Sequence, residues 1–324
     1  MSDYNEQENE SPFYDEPKRQ NTGNNGKSKV VFNEKNYLNT RLANNETTRQ
    51  INIRILPVKP GSNKIALPVQ IHSLKVDKQV AQSGFKTFLC LNDENLPNHD
   101  EKGCPICNKS KDFFNQANEV QQDDEHASEK KKVLCKEGFK YQPKIAYIVR
   151  VIERGKENEG VKFWRFNHWD NGKGCKDQLE NLYRLRKKEM KDAGMNDNFN
   201  IFDLHNGKDI VLTLTKSDKE NSKQDKTEIT ITDAGFCTPL SKNESQIEEW
   251  VNDSKDWKDM YACKDYKYLE IVADGGIPVY STKKRCYVTK EEYEEENKKD
   301  EQDAVDEVRK DAPSNNNVNN DLPF

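Results

Sequence analysis

The sequence predicts an α+β fold that is mainly β, spanning residues 30–290, between disordered acidic tails at 1–29 and 291–324. Three observations carry this. Apolar residues make up 33% of the chain against 34% charged, and they are concentrated in the middle. Short segments there alternate apolar and polar residues with the two-residue period of half-buried strands, and helical spacing is confined to a few stretches. Both ends lack apolar periodicity and are too polar to form a core.

Taken in order, residues 1–29 are rich in Asn, Glu, Gly and Ser and read as a disordered arm, with Lys18-Arg19 and Lys27 to Lys29 as small basic clusters. Strands are predicted over 50–56, 66–75 and 84–91. A polar loop follows, then a helix over 108–120 and a charged, mobile connection over 121–132. Strand patterns return over 136–150 and 162–169, on either side of a turn at 158–160. Residues 177–191 read as a helix with Leu179, Leu182 and Tyr183 on one face. The segments 209–215 and 226–232 alternate as an antiparallel hairpin, and Ser241 to Glu244 is a capping box opening a helix that buries Ile247, Trp250 and Val251. Residues 266–272 and 277–280 flank Asp274-Gly275-Gly276 and predict one more hairpin.

The stretch from His72 to Cys107 organises this frame. Cys104-Pro105-Ile106-Cys107 brings two thiolates to one side of a tight turn, as a tetrahedral Zn²⁺ requires of a local ligand pair, and Cys90 and a histidine complete the shell. A redox pair is the alternative, but such pairs follow a buried strand directly, whereas a polar loop precedes this one. His72 lies on a strand and His99 in the loop, and the strand holds a ligand more rigidly, which favours His72. One structural zinc in a subdomain of about 72–135 is therefore expected. Three thiolates and an imidazole leave no open position, which argues against a zinc-dependent nuclease and for a chain that is not an enzyme.

Eight cysteines without regular spacing, in a chain without a basic-then-apolar leader, point to a reducing compartment and no disulfides; a cytoplasmic location is expected, that of the host cell if the protein is viral. No run reaches the ~18 apolar residues of a membrane span. The net charge of −5 is segregated: residues 291–324 carry −8, residues 1–17 carry −6, and residues 18–290 carry +9. A basic body between acidic ends suggests a polyanionic partner and tails that compete for the same surface.

Residues 136–169 interleave basic and aromatic side chains on strand patterns, as a surface for unpaired bases would: rings stack on bases while Lys and Arg follow the phosphates. The residues expected to contact single-stranded nucleic acid are Lys136, Lys140, Tyr141, Lys144, Tyr147, Arg150, Lys162, Trp164, Arg165, Phe166 and Trp169, with Arg184 and Lys187 extending the phosphate track. No small-molecule substrate is implied. The terminal Asp321, Leu322, Pro323 and Phe324, after many acidic residues, form a portable peptide ligand.

Ile51 to Pro57, His72, Cys90, Cys104 to Cys107, Lys140 to Val151, Glu157 to Gly160 and Val161 to Phe166 follow one another in an order that resembles the T4-type phage single-stranded DNA-binding, or helix-destabilising, proteins. The resemblance spans roughly residues 50–262. It implies an oligonucleotide-binding (OB) fold barrel with a zinc subdomain beside the cleft, His72 as the fourth ligand, and Trp164, Arg165 and Phe166 lining the DNA cleft. It further implies a role in replication, recombination or repair. The family's basic N-terminal motif is not matched by Lys18-Arg19, and the Pro-Phe tip is more similar to that of bacterial single-stranded DNA-binding proteins, which recruit replication and recombination enzymes. The expectation is a protein that coats single-stranded DNA; a single-stranded RNA-binding translational repressor would use the same platforms.

Overall fold

In a computed structural model, the structure describes residues 11–13, 33–93, 102–121, 126–168, 173–195, 198–217, 227–257, 261 and 264–310. The chain divides into two units, 1–73 with 87–264, and 74–86 with 265–324.

The first unit is built on an antiparallel sheet of seven strands: β1 (Thr48–Leu56), β2 (Ala66–Lys75), β3 (Phe85–Leu89), β4 (Lys144–Glu153), β5 (Lys162–Asn167), β6 (Gly207–Lys216) and β7 (Thr227–Thr238). Its order is β3-β2-β4-β1-β6-β7, with β5 on β4. Strand β4 is the hub. Val149 pairs with both Ala66 and Trp164, and Val151 with both Ile55 and Lys162, so β1 and β2 share one edge of β4 and β5 takes the other. The sheet is mixed with helices and is not closed, so the barrel implied by the resemblance is not what the described strands form.

Strand parity sorts the core as the alternation predicts. Ile51, Ile53 and Ile55 of β1, Tyr147, Val149 and Val151 of β4, Trp164 and Phe166 of β5, and Ile210, Leu212 and Leu214 of β6 form one cluster with Leu179. Leu179 belongs to helix α3 (Cys175–Asp192), whose predicted span holds. The opposite face carries Ala146, Ile148 and Phe163 against Trp257 and Tyr261, and Ile152 and Leu56 against Ile247 and Trp250 of helix α4 (Glu244–Val251). Both faces of β4 and β5 are thus covered by protein. The cap of α4 is Asn243, whose side chain accepts from Ser245 N, and not Ser241.

The N-terminal arm corrects the reading of 1–29 as wholly disordered. Phe13 is buried, pairs in parallel with Ala66, and meets Tyr147 edge-on with ring centroids 5.5 Å apart. Pro12 O accepts from Ile65 N, and Ser11 Oγ donates to Glu180. The aromatic ring supplies burial that no periodicity in the arm announces.

Helix α1 (Pro105–Glu119) is where a helix was predicted but starts three residues earlier, so that Cys107 lies in its first turn, and residues 127–141 are helix α2 (Ala127–Tyr141) and not a connection followed by a strand. The stop lies at Gln142, since a residue before proline is driven to extended backbone, and β4 starts just after Pro143. Gly138 lets the helices approach: a Cβ there would lie 3.0 Å from the Phe114 ring, and Ser110 Oγ donates to Gly138 O at 2.9 Å.

In the second unit, residues 266–273 form helix α5 (Tyr266–Ala273) and not a strand, capped by Asp265, whose side chain accepts from Tyr268 N. Asp274-Gly275-Gly276 is its stop: Gly275 N bonds Val272 O and Gly276 N bonds Ile271 O, with Gly275 at φ +85. The hairpin lies one step later, as β8 (Pro278–Ser281) and β9 (Cys286–Thr289). The acidic stretch read as tail begins as helix α6 (Lys290–Lys310), where Glu291 and Glu292 oppose the positive end of the helix dipole. Among the described residues, no helix is long and apolar enough to cross a membrane.

Candidate metal centre and basic surface

Strand β2 places His72 in the protein interior, the end of β3 leads to Cys90, and the start of α1 supplies Cys104 and Cys107. The four donor atoms lie within 4.8 Å of one another and all four residues are buried. Cys90 Sγ is 3.5 Å from Cys107 Sγ, and His72 Nε2 is 3.5 Å from Cys104 Sγ and 3.6 Å from Cys107 Sγ. A tetrahedral ion with bonds of about 2.3 Å to sulfur and about 2.0 Å to nitrogen has S–S edges of about 3.8 Å and S–N edges of about 3.5 Å. The donor set therefore fits such an ion closely. It leaves no coordination position open.

Surrounding bonds fix three of the four residues. His72 Nδ1 lies 3.0 Å from the carbonyl of Tyr141; because that oxygen only accepts, Nδ1 carries the proton and Nε2 turns its lone pair to the thiols. Cys104 N donates to Asn92 Oδ1 at 2.9 Å, and Cys90 N to Gln70 O at 2.9 Å. The three thiols are also coupled through hydrogen bonds. Hydrogen bonding to Cys104 and Cys107, with burial, pushes the Cys90 thiol far above its ordinary value. Hydrogen bonds from Cys107 and Cys90 hold Cys104 below its ordinary value, and Cys107 is pushed up to about 12, chiefly by its bond to Cys104. Three buried thiols cannot ionise together without a positive charge among them. The other described cysteines, Cys135, Cys175, Cys237 and Cys286, are free. His99 and Cys263 lie outside the described residues.

The residues expected to hold nucleic acid are divided by the fold. Tyr147, Trp164 and Phe166 are core residues, 0%, 0% and 6% exposed, and are corrected as stacking platforms. Arg150 is buried too: its guanidinium donates to the carbonyls of Trp250 and Val251, binding the negative end of α4. Lys162 is held between Glu153 and Glu159, and hydrogen bonds to both carboxylates raise its pKa despite burial. Arg165, partly covered, stacks on Tyr261 at 5.5 Å. Trp169 lies outside the described residues, as do Asp321, Leu322, Pro323 and Phe324.

Lys136, Lys140 and Lys144 remain on the surface, with Tyr141 partly exposed. With Lys130, Lys131 and Lys132 they make α2 and its exit strongly basic, and Lys132, Lys136 and Lys140 recur every four residues along one stripe. Phe139, which sequence reasoning passed over, is 59% exposed beside them. Tyr141 stacks on Phe113 at 5.8 Å, and Lys109 lies 5.5 Å from its ring centre. Arg184 and Lys187 are on α3, apart in sequence from this patch; Arg184 is exposed and reaches Glu180 at 3.8 Å. The chain matches no protein-family model, and no curated protein matches it.

Proposed function

We propose that this chain is a non-enzymatic single-stranded DNA-binding protein in which one structural zinc ion fixes the surface that receives the strand. The observation that carries the reading is the bond from His72 Nδ1 to Tyr141 O. It ties the metal centre to the last residue of α2, where Phe139, Lys140 and Tyr141 stand together. Zinc is favoured over other ions because a closed shell of three thiolates and one imidazole is its structural ligand set, and thiolates disfavour hard cations.

Lys130 to Lys144 exchange counterions for phosphates, and the rings of Phe139 and Tyr141 stack on bases. Duplex bases are already stacked, so only the open form uses both terms, and the melting equilibrium shifts without fuel. The sheet beneath would serve as an OB-like scaffold, as the resemblance implies. The acidic end with Asp321 to Phe324 is proposed to recruit replication or recombination enzymes.

The test is anisotropy of labelled oligo-dT, with duplex DNA and oligo-U as competitors. Phe139→Ala is expected to cost about 1–3 kcal/mol of binding, roughly 5- to 150-fold. Lys136→Gln and Lys144→Gln should each lower the slope of log affinity against log salt by about 0.7. Oligo-dT bound no better than duplex, or unaffected by all three changes, would remove the reading; tighter binding of oligo-U would move it to RNA.

A further inference from the structure

Beside β1 the first unit holds a polar cavity of about 380 Å³ that the metal centre and α2 do not use. Small-molecule sites run from about 300 to 1,000 Å³, so it has room for more than a bare anion. Four cations line it, Arg49, Arg154, Lys156 and Lys162, against one carboxylate, Glu153. Two of them are committed elsewhere: Arg154 grips Asp209 at 2.8 Å, and Lys162 is buried between Glu153 and Glu159.

The other two are suited to a ligand. Arg49 Nη2 donates to the carbonyls of Asn39 and Arg41, both at 2.7 Å, which holds the guanidinium in place. Its Nη1 lies 4.0 Å from Glu46, and its Nε is buried without a partner. Lys156 spends one contact on Glu153 at 2.6 Å and its side chain remains 54% exposed. Tyr37 and the exposed Asn52 also line the cavity, and the Asn52 amide makes no side-chain hydrogen bond among the described residues.

We infer that this cavity is a nucleotide subsite, with the phosphate against Arg49 and Lys156 and the base beside Tyr37 and the Asn52 amide. An amide offers a donor and an acceptor, the pair a base edge presents in return. Naming a nucleotide rests on the nucleic-acid reading above, and its source is either a unit of a bound strand or a free mononucleotide.

The experiment is calorimetric titration of the full chain with dTMP, AMP and inorganic phosphate, beside oligo-dT anisotropy, for the wild type, Asn52→Leu and Lys156→Met. Both side chains are exposed, so unchanged melting temperatures are the control. A mononucleotide should bind more tightly than inorganic phosphate, and each variant should weaken it at least about five-fold, the loss of one good contact. If the source is the strand, oligo-dT displaces the mononucleotide and Lys156→Met lowers the salt slope by about 0.7. If the source is a free nucleotide, oligo-dT does not displace it. Wild type that binds a mononucleotide but no oligo-dT would support this site while the single-strand reading falls. Oligo-dT affinity equal in all three proteins, with no mononucleotide bound, would overturn the site and leave that reading standing.

Discussion

Chelating the metal, or replacing Cys107 by Ser, is expected to lower the melting temperature by on the order of 10 °C and to weaken oligo-dT binding at the same time. The centre joins β2, the segment after β3 and the start of α1, and through His72 it also holds the end of α2. In small structural sites metal affinity is folding free energy, of order 10 kcal/mol in isolated fingers. Here only part of the chain depends on it, so a loss of roughly 3–5 kcal/mol is expected, at about 2–4 °C per kcal/mol for large domains. Calorimetric melting and anisotropy on the same chelated sample decide the matter. A melting shift under about 2 °C would show the cluster to be ordinary packing. A large shift with intact DNA affinity would separate the metal from α2.

Asp209→Ala is expected to cost about 3–5 kcal/mol with no direct effect on the metal. Asp209 accepts from Arg54 Nη1 at 3.3 Å and from Arg154 Nε and Nη2 at 3.0 and 2.8 Å. Arg54 is wholly buried, and that burial lowers its pKa while Asp209 opposes the shift. Its Nη2 also donates to the carbonyls of Asp203 and Thr238, both at 2.7 Å, so the guanidinium cannot turn to water. Removing the carboxylate leaves two cations facing each other, one with no solvent. Urea unfolding of Asp209→Ala, Arg54→Met and the double variant tests this; the double variant should be the less damaged of the two Asp209 variants, and a loss under about 1 kcal/mol for Asp209→Ala would show that solvent relieves the pair.

Much of this was legible in the chain, and its limits have physical causes. Period-two alternation placed β1, β2, β4 and β6 and assigned Tyr147 and Val149 to one face, because strand geometry forces that sorting. It could not say what covers the other face. Arg150 looked like a phosphate ligand, yet its partners are carbonyls a hundred residues away, at the end of α4. Cys104-Pro-Ile-Cys107 was readable because both ligands are local, and its remote partners Cys90 and His72 were reached through the strand pattern. Lys136 to Tyr141 alternates like a strand but obeys Pro143, the nearer constraint. Asp274-Gly-Gly serves a helix stop and a hairpin turn equally well, and only the cap at Asp265 separates them. Phe13 had no pattern around it to read.

That residue also sets a condition on synthesis. Its partner Tyr147 is synthesised 134 residues after Phe13. At about 5–20 residues per second the ring waits roughly 7–27 s before its pocket exists. Glu8, Glu10, Asp15 and Glu16 flank it in the sequence, and charge beside an exposed apolar ring opposes its association with other chains.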